Sequence, residues 1–390
     1  MGQHRTDDTR RRGISRGVVF GFLAIVVVAV LVVVWVSLGN RITADGDDAA
    51  KACVEGPATV TVLADPALAT PLNTIAGAYN ATKPVVRDQC ITVTVAPQDA
   101  KVTLDGLTGT WDPESMGPYP AAWVPASSVW SAQLLTARSA VVDGNPESLV
   151  TSPVVLAVAP ELARAAGSDV GWLDIPTLAR RDNSLADLGL RGWGSLKMAL
   201  AAGPGSDASV LAAEAIATQV SRTTTGGLTA ADADSAMVTS TLTDLRRRAP
   251  TPTDGVATGA LPTIANSGNP AAASIHAIPI TEQALYDATR TDTSPGVVEL
   301  LPDGPTPLAD YPVIDLTGEQ VSAAQAEAVT RFFDFVRTPE QLKSVTALGF
   351  RGNAPLPAAT AAVTFPVTNN PMPAPEPAAA TAIAKIILGG

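Results

Sequence analysis

The chain has 390 residues, 46% apolar and 16% charged, a balance that excludes an intrinsically disordered polypeptide and allows one large or two ordinary folded domains. Its formal net charge of −11 makes it a poor partner for nucleic acid, because phosphate contacts need a basic surface. Two cysteines and two histidines, His4 and His276, without any C-x-x-C, exclude a zinc or dithiol centre, and no cofactor is expected.

Residues 1–16 form a short tail in which Arg5, Arg10, Arg11, Arg12 and Arg16 outnumber Asp7 and Asp8. Residues 17–38, GVVFGFLAIVVVAVLVVVWVSL, then run for 22 residues without a charge, long enough as a helix to cross a hydrocarbon core of ~30 Å. The segment is predicted to be a transmembrane helix in contact with lipid. The basic flank puts its N-terminus in the cytoplasm and the bulk of the chain outside. A cleaved secretory signal and a buried core helix fit less well, the first because the apolar run is too long and the second because every face is apolar. Residues 39–52 read as a polar linker.

The folded part opens with a β-branched run, Ala58–Ala64, closed by Asp65 and Pro66. A helix is expected next, with Thr70 as N-cap, Pro71 at its first position, and Leu72, Ile75, Ala76 and Tyr79 on its apolar face. Ile91–Val95 reads as a second strand, so that strand, helix and strand suggest a parallel βαβ unit. Cys53 precedes the first strand and Cys90 the second. A disulfide there would clip the ends of this unit, the alternative being two unpaired buried thiols. Residues 101–120 are expected to be irregular, and Ala121–Val124 a short strand breaking at Pro125 into a turn where Ser127 or Ser128 caps a helix.

Ser152–Pro160 is expected to be a further apolar strand. Ser206 or Asp207 is expected to cap a helix after the turn at Gly203–Gly205, and a later helix ends on Arg246, Arg247 and Arg248, which suit the negative end of its dipole. Ser274–Ile280 reads as a strand running into Thr281 and Glu282, with two more strands at Val297–Leu301 and Tyr311–Leu316. A helix with the stripe Val329, Phe332, Phe333 and Val336 follows, then one opened by Thr338-Pro339 and stopped at Gly349. Residues 352–390 are Pro/Ala-rich and read as a linker-like tail.

No G-x-S-x-G elbow, Walker loop or G-x-G-x-x-G occurs, and His276 is expected to be packed rather than catalytic, so the pattern points away from an enzyme. Ligands of open α/β sheets bind beyond the carboxyl ends of strands, where helix N-termini offer free N–H groups. The candidates at such positions are Asp65, Pro66, Ser127, Ser128, Ser206, Asp207, Thr281 and Glu282.

The run TVTVLADPALATPLNTIAGAYN from Thr59, WVPASSVW from Trp123, ITEQALYD from Ile280 and the closing FFDFVRTPEQLKSVTALGFR, Phe332–Arg351, together resemble a type II extracellular solute-binding protein. The branch it is similar to is membrane-tethered and often carries a von Willebrand factor A domain, but the metal motif D-x-S-x-S of that domain does not occur in these 390 residues. Ala126 also stands where such sequences often have aspartate. The resemblance implies an α/β fold, an N-terminal transmembrane helix followed by a two-lobed type II periplasmic-binding-protein-like domain over 53–351. One lobe would take 54–150 and 282–351, the other 151–281. A small ligand would be captured in the cleft between them, for delivery to a transporter permease. The alternative is an envelope interaction or scaffold protein that keeps this fold without solute capture.

Overall fold

A computed structural model describes residues 27–37 and 53–389, except residues 204, 224, 266 and 267. The predicted tail 1–16, most of the apolar segment 17–38 and the linker 39–52 lie outside the described residues. Residues 27–37 form an exposed α-helix, and no helix among the described residues is long and apolar enough to cross a membrane.

Two sheets organise the remainder, one in each lobe. The first has the order β2 (Val85–Val86), β3 (Gln89–Pro97), β1 (Pro57–Ala64), β4 (Ala122–Val124), β10 (Pro312–Leu316), β5 (Val142–Ser148). Its centre is parallel, as the βαβ pattern predicts, with Ala64 paired to Pro97 on one side and to Val124 on the other. The second sheet is built on β6 (Ser152–Val158), flanked antiparallel by β7 (Ala277–Thr281) and β8 (Val298–Leu300), with β9 (Leu308–Ala309) pairing at the start of β6. Every residue of β6 is buried, which explains its unbroken apolar reading.

Local chemistry shifts several helix boundaries. The first helix spans Pro66–Ala81 rather than starting at Pro71, because Asp65 already caps it by accepting the Ala67 N–H, with Pro66 at the first position. The stretch expected to be irregular contains a helix, Ala100–Thr108, capped by Asp99, and a short one, Pro113–Met116, capped by Asp112. Conversely, the run before Gly203 makes only an isolated bridge, Met198 to Ala277. The late helix Ala323–Val336 has a full capping box, Ser322 with Gln325, and buries Phe332 and Phe333 against the first sheet and the helix Pro66–Ala81. Each such ring contributes about 2–3 kcal/mol by leaving water. Cys53 and Cys90 are disulfide-bonded, joining the chain ahead of β1 to the start of β3.

The lobes are joined where the chain passes between the sheets. Leu149–Thr151 makes the first passage. The return lies at Asp310–Tyr311 and not at the expected 281/282 boundary, because β8 and β9 still pair with β6. The two passages run side by side: the Leu149 N–H donates to Tyr311 O at 3.1 Å, and Pro312 pairs with Ser148. Arg351 adds a third segment, exchanging two 2.8 Å backbone hydrogen bonds with Thr151. Its guanidinium forks onto buried Glu282, Nε to Oε2 at 2.8 Å and Nη2 to Oε1 at 2.6 Å, and also reaches Pro366 O and Thr368.

Residues 352–389 are not a free tail. Backbone bonds tie them to the second lobe, from Glu299 N–H to Ala362 O, from Thr306 N–H to Asn370 O and from Glu376 N–H to Leu228 O. They finish in the helix Pro377–Leu388, whose buried Ala379, Ala380, Ile383 and Ile387 pack on Ser128–Arg138 of the first lobe and on Asp207–Ser221 and Ala236–Arg248 of the second. The apolar spacing every three or four residues is that of one helix face, which alanine and proline content alone obscured.

Removing Arg351 would strand Glu282, a carboxylate with no exposed surface. Arg351→Met is therefore expected to cost about 3–5 kcal/mol of stability, whereas Arg351→Met with Glu282→Met recovers most of the loss; urea unfolding of the three variants measures both.

Candidate interlobe site

The parallel register decides where the site lies. Because Ala64, Pro97 and Val124 are in line, the residues just past them, Asp65, Asp99 and Ser127, emerge at one edge of the first sheet. The Asp65 N–H donates to Val124 O at 2.8 Å and the Gln98 N–H to Ala64 O at 3.0 Å, which fixes those turns. Each of the three residues is also a helix N-cap. Ser127 accepts the Val129 N–H through its hydroxyl, while the Ser128 N–H donates to the Asp310 carboxylate at 2.7 Å.

The second lobe meets this edge with the helix Asp207–Ser221. The Trp130 indole N–H, from the first lobe, donates to Asp207 Oδ1 at 2.5 Å across the interface. Seven residues along the same helix, Glu214 has no exposed surface, and neither of its carboxylate oxygens has a hydrogen-bond partner. Tyr311, fully buried and edge-on to Phe350, sits at the return passage with a left-handed φ of 40°, a conformation that side chains other than glycine rarely adopt.

Electrostatics make this an unusual meeting point. Burial raises the Asp65 carboxyl to about 7, with Asp207 adding to the effect, and raises Glu214 to about 8, with Asp310 and Asp207 adding. Burial likewise raises Asp207 and Asp310, the hydrogen bonds from Trp130 and Ser128 opposing it, and raises Tyr311 well above the usual phenol range. Every charge that perturbs Asp65, Asp207 and Glu214 is itself acidic. In this conformation the space bounded by Ser127, Trp130, Asp207, Ala384 and Leu388 is a cavity of about 10 Å³, room for roughly one water. At Trp130 and Asp207 the lobes are therefore in direct contact.

Of the residues that the sequence singled out, Asp65, Ser127, Ser128 and Asp207 come together here. Ser206 begins the helix beside them but makes no side-chain cap. Pro66 lines an open groove between the lobes, with Thr70 and Thr74 of the first and Thr258, Ala284 and Asp287 of the second. Thr281 caps the helix Glu282–Thr289, and Glu282 is held by Arg351 at the junction of the lobes. His276 is buried just before β7 against Trp193, with Nδ1 accepting the Lys197 N–H at 3.3 Å; burial lowers it to about 4, as expected of a packed neutral imidazole. Asp99, Trp130, Glu214, Asp310 and Tyr311 were missed. The signal for Glu214 was present, since it is the lone charge in the run SVLAAEAIATQV and lies on the Asp207 face, seven residues on.

Residues 60–351 match the family model described as Bacterial extracellular solute-binding protein. Two curated relatives, uncharacterised proteins of Mycobacterium tuberculosis strains H37Rv and CDC 1551, are each 34% identical over 365 residues. The match takes in 93% of this chain and 52% of the relative, so the chain spans about half the length of the curated relatives it matches. Among solved structures, iron-bound HitA from Pseudomonas aeruginosa superposes with a TM-score of 0.57 at 14% identity over 85% of this chain and 99% of the other. The ferric binding protein from Campylobacter jejuni gives 0.54 at 12% identity over 85% and 98%. AfuA from Actinobacillus pleuropneumoniae, bound to fructose-6-phosphate, gives 0.52 at 12% identity over 85% and 96%. These likenesses carry the two-lobed fold.

Glu214 gives the closed form a defined pH response. Its carboxyl holds a proton to about pH 8 when folded but only to the ordinary 4.5 when unfolded, so the unfolded state gains as pH rises between these values. Its contribution is fully present below about pH 4.5 and is lost as pH rises through 8. Glu214→Gln, which cannot ionise, is expected to stabilise the protein by about 3 kcal/mol at pH 7 and by close to nothing at pH 4, read from denaturant titrations at the two pH values.

Proposed function

Because the chain belongs to the bacterial extracellular solute-binding protein family, whose members are extracytoplasmic binding proteins rather than enzymes, we propose that it captures a small solute between its lobes. The observation that carries this reading is the meeting of strand-end groups of one lobe, Asp65, Ser127 and Ser128, with the helix of the other lobe that carries Asp207 and Glu214, across the Trp130–Asp207 hydrogen bond. Paired passages between the lobes are what a hinge needs, since a few residues there absorb the rotation of two rigid bodies. On this reading the contact at Trp130 and Asp207 opens when the lobes part and a solute enters there.

Segment 17–38 supports tethering at the outer face of a membrane, next to a permease that would take the released solute. On this reading the protein sediments with membranes and residues 53–389 are cut by protease added to intact cells stripped of their wall.

One observation favours a second reading, an envelope interaction protein that no longer takes up solute. The helix Pro377–Leu388 bridges both lobes over the closed cleft and lies beyond the part that matches the family. The two readings differ in whether the lobes move. With spin labels at Ser115→Cys and Ser240→Cys, both exposed and one on each lobe, capture requires an interlobe distance that changes on adding a solute. The solute is found by thermal shift across sugars, amino acids, oxyanions, metal ions and amines. A fixed distance and no thermal shift with any class would sink capture and leave the interaction role.

A further inference from the structure

Among the described residues, no base is among the charges that act on Asp65, Asp207 and Glu214 at the interlobe site. Asp65 and Asp99 enter from the strand ends, Asp207 and Glu214 from the second lobe's helix and Asp310 from the return passage, while Ser127, Ser128 and Trp130 are neutral. A carboxylate with both oxygens unpartnered and no exposed surface, as Glu214 is, is costly to bury, so a group in this position calls for a donor from outside the chain. Two features define that donor. The carboxylates are spread out: Asp207 and Glu214 lie two helical turns apart on one face, roughly 10 Å along the axis. No three of the acidic, histidine or cysteine side chains among the described residues gather closely enough to hold a metal ion.

Resting on the capture reading above, we propose that this site binds an extended organic cation, a linear diamine or polyamine whose amino groups pair with Asp207 and Glu214, with Asp65 and Asp310 completing the negative lining. A diamine carries N–H donors at both ends and a methylene chain between them. That chain matches the apolar side chains Val210 and Leu211, buried in this conformation, which lie between the two acids along the helix. An amine with one charge would satisfy one acid and leave the other stranded. A sugar or an oxyanion would leave the negative charge uncompensated or add to it.

Binding is coupled to protons. The groups facing the site from each element are Asp65, Asp99, Asp207, Glu214, Asp310 and the Tyr311 hydroxyl, all acids, so an arriving ammonium displaces protons and affinity rises as pH rises toward 8.

The test is calorimetry on the purified full-length chain in detergent, at physiological salt, with putrescine, cadaverine and spermidine, and with N-acetylputrescine, glucose and magnesium chloride as comparisons. We expect saturable binding of a diamine or polyamine, at least tenfold tighter at pH 8 than at pH 5, with proton release seen as a dependence of the heat on buffer. N-acetylputrescine should bind at least tenfold more weakly. Glu214→Gln, whose fold is checked by its unfolding curve, should lose at least tenfold in affinity. Absence of binding by all three amines, equal binding by Glu214→Gln, or binding of magnesium alone overturns the assignment. If the amines fail while a solute of another class shifts the interlobe distance, the ligand class is wrong and capture stands. If no solute of any class does so, capture falls with it.

Discussion

Carboxylates buried at the meeting of two lobes, with acids and no base as their charged neighbours, set the terms on which those lobes can touch. Water would solvate these groups in an open form; on closure they lose it, and the chain compensates with hydrogen bonds, among them those from Trp130 to Asp207, from Ser128 to Asp310 and from the Ala67 N–H to Asp65. The free energy of closure therefore depends on what neutralises the acids, a proton or an incoming cation. Apolar contacts elsewhere, including the helix Pro377–Leu388 laid across both lobes, hold the closed arrangement in spite of this cost.

The rest of the architecture serves to bring those groups to one place. Parallel pairing of β1 with β3 and β4 levels three strand ends, and each end flows into a helix whose cap is also a candidate ligand contact. Capping and binding draw on the same chemistry, a side-chain oxygen beside unpaired backbone N–H groups, so the same residue can serve both. The passages at Leu149–Thr151 and Asp310–Tyr311 carry the other lobe's helix to that edge. Tyr311, buried and in a left-handed conformation, fixes the return passage beside the acids it borders. Arg351 and Glu282 clamp the same junction from behind, which is why Glu282, though conspicuous at a strand end, is engaged in holding the lobes rather than facing the cleft.

Much of this was legible in the sequence wherever the cause was local. The β-branched run of the first strand, the apolar stripe of Ala323–Val336 and the order of Cys53 and Cys90 around one βαβ unit are short-range patterns, and the elements formed as read. Errors arose where two local signals competed. Asp65-Pro66 and Thr70-Pro71 are both cap-and-proline pairs, and the earlier one starts the helix because Asp65 also bonds back to β4. The return passage was placed early because Thr281-Glu282 looks like the end of a lobe. The pairing of β8 with β6, which delays it, is a contact between segments far apart in sequence.

By itself the sequence determined the α/β class, the strand-end positions of Asp65, Ser127 and Ser128, the place of Asp207 at a helix start, and an uncharged segment at 17–38, since each depends on neighbours within a few residues. Only the tertiary structure decided that Glu214, Asp310 and Tyr311 join those residues. It also decided that Thr281 and Glu282 belong to the junction, and that the Pro/Ala-rich stretch after Arg351 folds back to end in a helix across both lobes. Burial raises a carboxyl only when distant parts of the chain exclude water from it together, and no local pattern of residue types records which parts those will be.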